Sequence, residues 1–220
     1  MKVQDAINTT IPALATTDTV EDALGLLMEH HVRHLPVVDT ENQLVGMISE
    51  EQMMTAQGPD ENVGSLLAAR PVSVHPQAHI FDAARTMVEH GLSTVPVTPP
   101  DDVRYLGLIR RHDIFDEFAK MMATQRSGAV VALEVDQRDY ALAKLVHLIE
   151  QNDAKVLAIA SESPDLSTDK IRLTLKLNVT DTTRIRHVLE HNDYRVIASF
   201  GEDETEMRHR VEEFMRYLEV

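Results

Sequence analysis

Gly107-Leu-Ile-Arg-Arg-His-Asp-Ile-Phe115 sets Arg110, Arg111 and His112 beside the carboxylate of Asp113, in a chain whose formal net charge is −15. A few local cations and the backbone N–H groups of a helix start can outweigh distant, screened carboxylates, so the stretch is suited to a small anionic ligand. Two other places carry the same kind of chemistry. Arg33-His34 stands directly before Leu-Pro-Val-Val, and Ser49-Glu-Glu-Gln52 follows Gly46-Met-Ile48 as Arg110-Arg-His-Asp113 follows Gly107-Leu-Ile109. Ser49-x-x-Gln52 also has the spacing of a helix capping box, and Asp113 that of a first-turn acid favoured by the helix dipole by about 0.3–1 kcal/mol.

The rest of the composition narrows the chemistry. The chain has 220 residues and no cysteine, which leaves out disulfides, thiolate metal sites and a sulfur nucleophile. It shows no Gly-rich phosphate loop, no G-x-S-x-G and no H-E-x-x-H, so a non-catalytic protein with no required cofactor is expected. With 36 acidic against 21 basic residues, nucleic acid and anionic membrane surfaces are poor partners. No window reaches the ~18 apolar residues of a membrane span, and the N-terminus lacks a basic patch before an apolar stretch; a cytoplasmic location is the expectation. Of the 11 histidines, His30/His34 and His187/His191 are spaced i, i+4, but neither pair has a third ligand nearby, and no metal site is expected.

The elements that hold these residues repeat. Asp22 to Val37 and Asp82 to Val97, 60 residues apart, are identical at six of sixteen positions. Each copy predicts a short helix (Val3 to Ile7; Val63 to Ala68), a short strand (Ile11 to Leu14; Val72 to Val74) and an amphipathic helix, as with Val20, Ala23, Leu24, Leu27 and Met28. A Pro-Val strand, a polar turn, a strand ending in Gly-x-Ile and a closing helix follow. One copy leaves its sheet half covered, so the pair should bury the remaining face together. Met53, Met54, Met121 and Met122 fall at apolar helical positions and are expected in the core.

After Gln125 the pattern changes to strand (Gly128 to Val135), helix (Tyr140 to Gln151), strands (Ala154 to Ser161; Lys170 to Val179), helix (Thr183 to His191) and strand (Tyr194 to Phe200). That order is βαββαβ, a ferredoxin-like arrangement. Glu150 to Ala158 and Glu190 to Ala198 share five of nine residues, each copy a helix end, an Asn-Asp turn and a strand start. From Glu202 to Leu218, one face carries Met207, Val211, Phe214, Met215 and Leu218, which predicts a docked helix.

The duplicated unit, with its Pro-Val and Gly-x-Ile strands in register, resembles the CBS domain, and the pair resembles a Bateman module. Residues 126 to 200 resemble an ACT-like domain, although Asp136-Gln-Arg-Asp139-Tyr stands where amino-acid-binding ACT domains carry a glycine. The order of modules is similar to that of bacterial acetoin-utilisation regulatory proteins. The fold expected is thus α/β (α+β): CBS repeats at 1–60 and 61–122, an ACT-like domain at 126–200 and a C-terminal helix at 202–220.

In the CBS family the last residue of T-x-x-D is a carboxylate that accepts hydrogen bonds from both ribose hydroxyls of an adenine nucleotide, and the first is a hydroxyl that meets ribose or phosphate. The resemblance places the carboxylate at Asp113, with Arg110 replacing the hydroxyl and Arg111 and His112 between. In the first copy it leaves Ser49 as the hydroxyl and Gln52 in place of the acid. Basic residues before the Pro-Val strand contact phosphates in the family; here they are Arg33 and His34, against Ser93 and Thr94 in the second copy. The resemblance therefore implies a composite site for AMP, ADP, ATP or S-adenosylmethionine, with one repeat supplying the ribose acceptor and the other the phosphate cations. It implies a regulatory homodimer acting on a partner that the sequence does not name. The other reading is an interaction scaffold with vestigial pockets, since the first copy lacks the acid and the ACT-like loop lacks its glycine.

Overall fold

The structure, a computed structural model, describes residues 1–67, 71–138, 141–163 and 169–201; the helix expected at 202–220 lies outside them. The chain divides into two compact units, Met1–Glu117 and Phe118–Val220. Each repeat of the first unit opens on a single 3-10 turn, Val3–Ala6 and Val63–Leu66. The first repeat continues through β1 (Leu14–Ala15), α1 (Val20–His30), β2 (His34–Val38), β3 (Leu44–Ser49) and the one-turn α2 (Glu50–Met53). The second has α3 (Ile80–Glu89), β4 (Thr94–Val97), β5 (Gly107–Arg110) and α4 (Arg111–Met121). β2 pairs in parallel with β1 and antiparallel with β3, and β4 pairs antiparallel with β5. The strand expected at Val72 to Val74 shrinks to one parallel bridge, Val74 with Val97, at the place where Leu14 meets Val37 in the first repeat.

The helix starts of the first unit share one device, a residue and its i+3 neighbour closing on each other. Thr19 Oγ1 accepts the Asp22 N–H at 3.1 Å while the Asp22 carboxylate accepts the Thr19 N–H. Ser49 and Gln52 do the same for α2, and His79 and Asp82 form the box of α3. Such a cap satisfies N–H groups that the helix itself cannot, worth about 1 kcal/mol each. Asp113 accepts the Arg110 N–H at 3.0 Å and so starts α4 in half of this arrangement.

The two repeats exchange their leading turns. Val3 N–H donates to Ala78 O and Val63 N–H to Asp18 O, both at 2.9 Å; Gln4 N–H donates to Pro76 O at 2.9 Å and Gly64 N–H to Thr16 O at 3.1 Å. Each turn is thus docked on the helix start of the other repeat. The segment after the first turn also pairs with β5, where Asn8 and Leu108 exchange both backbone hydrogen bonds, at 2.7 and 3.0 Å. This explains the glycines of the Gly-x-Ile strands. A Cβ at Gly107 would lie 2.5 Å from Ile7 Cγ2 and 2.9 Å from Asn8 O, and one at Gly46 would lie 2.7 Å from Leu67 Cδ2. Gly107 also has φ +142°, which side chains rarely adopt. The core around Leu14, Leu35, Val37 and Ile48 accordingly takes in Val63 and Leu108 of the second repeat.

Not every apolar helical position is buried. Met53 is 3% exposed, but Met28 is 76%, Met54 78% and Met121 46% exposed, which corrects the expectation that they pack inside. Met28 follows buried Leu27, one step of roughly 100° round the helix, and Met54 is the C-cap of a helix only one turn long.

The second unit has β6 (Val130–Asp136), α5 (Leu142–Glu150), β7 (Val156–Glu162), β8 (Lys170–Leu177), α6 (Thr183–His191) and β9 (Arg195–Phe200). Its strand order is β7-β8-β6-β9 with every pairing antiparallel, the ferredoxin-like topology. α5 and α6 pack together over a core that includes Leu133, Leu145, Ile149, Leu173 and Leu189. On the alternate strand positions, register lines up Glu162, Arg172, Glu134 and Arg195 in one row across the sheet. Glu134 accepts from Lys170 at 2.8 Å and from Arg195 at 2.7 Å.

Candidate functional site

The register of the first unit brings the ends of its strands together. His34 at the start of β2 lies opposite Ser49 at the end of β3, and Thr94 of β4 lies opposite Arg110 of β5. β2 and β4 meet through side chains. The Thr94 hydroxyl donates to His34 O at 2.8 Å, Arg33 N–H donates to Ser93 Oγ at 2.9 Å, and Ser93 N–H donates to His34 Nδ1 at 3.2 Å. Ser93 and Thr94 of the second repeat therefore hold the backbone of Arg33 and His34 and the His34 ring.

At this junction lies a cavity of about 600 Å³. Arg33, His34, Ser49 and Arg111 line it, so four of the eight sequence-derived residues converge. His90, the C-cap of α3, and Glu50, at the start of α2, line it too. Neither stands out in sequence; the signal for His90 is only its match to His30 in the repeat. Arg33 Nε is 3.6 Å from Glu50 Oε2, and Arg111 anchors one guanidinium nitrogen on Leu92 O at 2.7 Å. Burial, then the charges of Arg33 and Arg111, hold His34 below the usual imidazole range. The site is thus a recess with hydroxyl, imidazole and guanidinium donors and with Glu50 and Glu51 as its acidic lining, and among the described residues no group of three or more His, Asp or Glu could hold a metal ion.

Arg110, His112, Asp113 and Gln52 do not line the cavity. Arg110 closes on Asp113 with Nε at 3.0 and 3.2 Å and a terminal nitrogen at 2.6 Å, and the hydrogen bond raises the already high pKa of the guanidinium further. Both lone-pair edges of the Asp113 carboxylate are thereby engaged, its side chain only 18% exposed. His112 Nε2 sits 3.5 Å from Asp116 on the exposed side of α4. Gln52 Oε1 accepts the Ser49 N–H at 2.9 Å, as a capping residue does. Of the composite arrangement expected from sequence, Arg33 and Arg111 of the two repeats meet at the recess, while the Asp113 carboxylate is engaged by its own Arg110.

Two interleaved α/β repeats with a ligand-sized recess where their strands meet make up a paired module. The chain belongs to the CBS domain family, whose pattern matches residues 3–58 and 63–120. The CBS domain-containing protein YhcV of Bacillus subtilis is 26% identical over 134 residues, 59% of this chain and 91% of that protein. The magnesium transporter MgtE of Enterococcus faecalis is 31% identical over 127 residues, 56% of this chain but only 28% of the transporter, so the shared part is the module and not the transporter. Among solved structures, one described as an acetoin utilization protein (AcuB) of Vibrio cholerae aligns with TM-score 0.50 and 25% identity, covering 57% of this chain and 95% of that one. A CBS domain pair/ACT domain protein of Thermotoga maritima, at TM-score 0.50 and 22% identity over 55% of this chain and 98% of that one, shares the fold. No helix among the described residues is long and apolar enough to cross a membrane.

Proposed function

We propose that this chain is a non-catalytic, cytoplasmic regulatory protein whose CBS pair binds an adenosine ligand carrying phosphate, with the phosphate in the recess of Arg33, His34 and Arg111. The carrying observation is the convergence of Arg33 and His34 of one repeat with Arg111 and His90 of the other on one recess, in a chain of net charge −15. Membership of the CBS family supports the adenosine part. Asp113 serves as ribose acceptor in this reading only after Arg110 leaves it, and Ser49 adds a hydroxyl donor at the recess. The ferredoxin-like unit, in its ACT-like role, carries dimerisation and output to a partner; the ligand must then favour one arrangement over another for a signal to pass.

Calorimetric titration with AMP, ATP and S-adenosylmethionine tests it. Micromolar binding of a phosphorylated ligand is expected, weakened about tenfold or more by Arg33→Ala or Arg111→Ala, since each removes a charge-assisted hydrogen bond worth roughly 1.5–3 kcal/mol. Absence of binding by all three in a folded protein overturns the reading in favour of an interaction scaffold. Equilibrium ultracentrifugation returning a monomer overturns the dimer.

A further inference from the structure

Ser93 does more at the junction than fill space. Its Oγ accepts the Arg33 N–H at 2.9 Å and lies 3.2 Å from His34 Nδ1, while its own N–H points at that same Nδ1, also at 3.2 Å. A nitrogen that receives an N–H must present a lone pair, so the proton of the neutral ring sits on Nε2. The Ser93 hydroxyl can turn either way. It can donate to Nδ1 while that nitrogen is bare; once the ring is protonated the Ser93 N–H loses Nδ1 as its acceptor, and the hydroxyl accepts from Nδ1–H while keeping its second lone pair for the Arg33 N–H.

The charges around the ring set when the proton arrives. Arg33 precedes β2, Arg111 begins α4, Glu50 and Glu51 come from α2, and His90 caps α3. Glu50 is turned to Arg33, and the two guanidinium groups together with burial disfavour a third positive charge on His34. An oxyanion placed against Arg33 and Arg111 would cancel that repulsion and reward protonation instead.

We infer that Ser93 is a positioning residue that makes oxyanion binding at this recess proton-linked: the oxyanion enters, His34 takes one proton from solvent at Nδ1, and the Ser93 hydroxyl reverses from donor to acceptor. The inference rests on the reading that the recess holds phosphate, and it adds how that phosphate is sensed. It also favours multiply charged phosphate ligands over sulfonium ones, because only an anion offsets the arginines. The sign follows from the directions. His34 titrates below its usual range in the free protein and higher in the complex, so affinity rises as pH falls through the complex's pKa and levels off below that of the free protein.

Nitrogen-resolved NMR of the full chain tests this with sulfate, which stays a dianion throughout the pH range used. The free protein should show His34 as the Nε2–H tautomer. Sulfate should raise its pKa and bind about three- to tenfold more tightly at pH 5.5 than at pH 7.5, one proton allowing at most about tenfold per pH unit. Ser93→Ala keeps the backbone N–H and with it the Nε2–H tautomer, but it removes the acceptor for Nδ1–H and should flatten the pH dependence, which Ser93→Thr should restore. A Nδ1–H tautomer in the free protein, a His34 titration that sulfate leaves unmoved, or an undiminished pH dependence in Ser93→Ala each overturns the inference. Sulfate linkage that persists while AMP, ATP and S-adenosylmethionine all fail to bind upholds it and removes only the adenosine reading.

Discussion

Arg110 decides whether Asp113 can meet a ligand at all. The carboxylate is satisfied by the guanidinium and the backbone N–H of a residue three places earlier, so a ribose diol has to displace a charged partner before it can bind. Arg110→Thr should therefore tighten binding of an adenosine ligand about tenfold by releasing the acid, and adding Asp113→Ala should remove the gain; calorimetry on both variants checks it. No effect of Arg110→Thr would leave Asp113 a helix start and nothing more. The sequence displays the charges of this stretch but not their closure on each other, because a ligand-facing pair and a capping pair share the i, i+3 spacing. Ser93 and Thr94 were legible only as a missing charge; their use appears when β4 lies against β2. Tyr105 is a second case. Its hydroxyl oxygen is buried with no hydrogen-bond partner among the described residues, and burial pushes its pKa well up. Tyr105→Phe should leave the denaturation midpoint unchanged or raise stability by about 1 kcal/mol, since it removes an unpaired buried polar group.

At the scale of elements, apolar period and capping spacing marked some helices: α6 begins and ends where its pattern does, and Ser49-x-x-Gln52 marks the start of α2, whereas the boxes at Thr19 and His79 emerge only in the structure. The strand order of the ferredoxin-like unit follows from the predicted βαββαβ sequence. What the local pattern could not reveal is the exchange of the two leading turns, because nothing in Val3–Ala6 names its partner near Ala78. The glycine of Gly107-Leu-Ile109 is the trace that the exchange leaves in sequence. Gly107→Ala puts a methyl into Ile7 and the Asn8 carbonyl at a φ of +142°, and it should cost about 2 kcal/mol or more by chemical denaturation. An unchanged midpoint would show that the crossing segment gives way freely.

For the whole molecule, acid stability hangs partly on the second unit's charged row. The hydrogen bond from Lys170, with Arg195 adding its charge, holds Glu134 below the usual carboxylate range. A group depressed in the folded state stabilises above its unfolded pKa and loses that contribution as pH falls through its folded pKa. Glu134→Gln should therefore lower stability near neutrality and flatten the acid side of the stability–pH curve below the ordinary glutamate range, as thermal melts at stepped pH would show. The first unit has a different kind of unity. Because each repeat lends its leading turn to the other, the boundaries at which this protein could be cut and rejoined are not the boundaries of its repetition. A chimera that takes the first repeat from a relative and joins it near residue 60 would import a turn shaped for the wrong neighbour at both ends. The intact pair, turns included, is the smallest piece that can be grafted elsewhere with its recess still assembled.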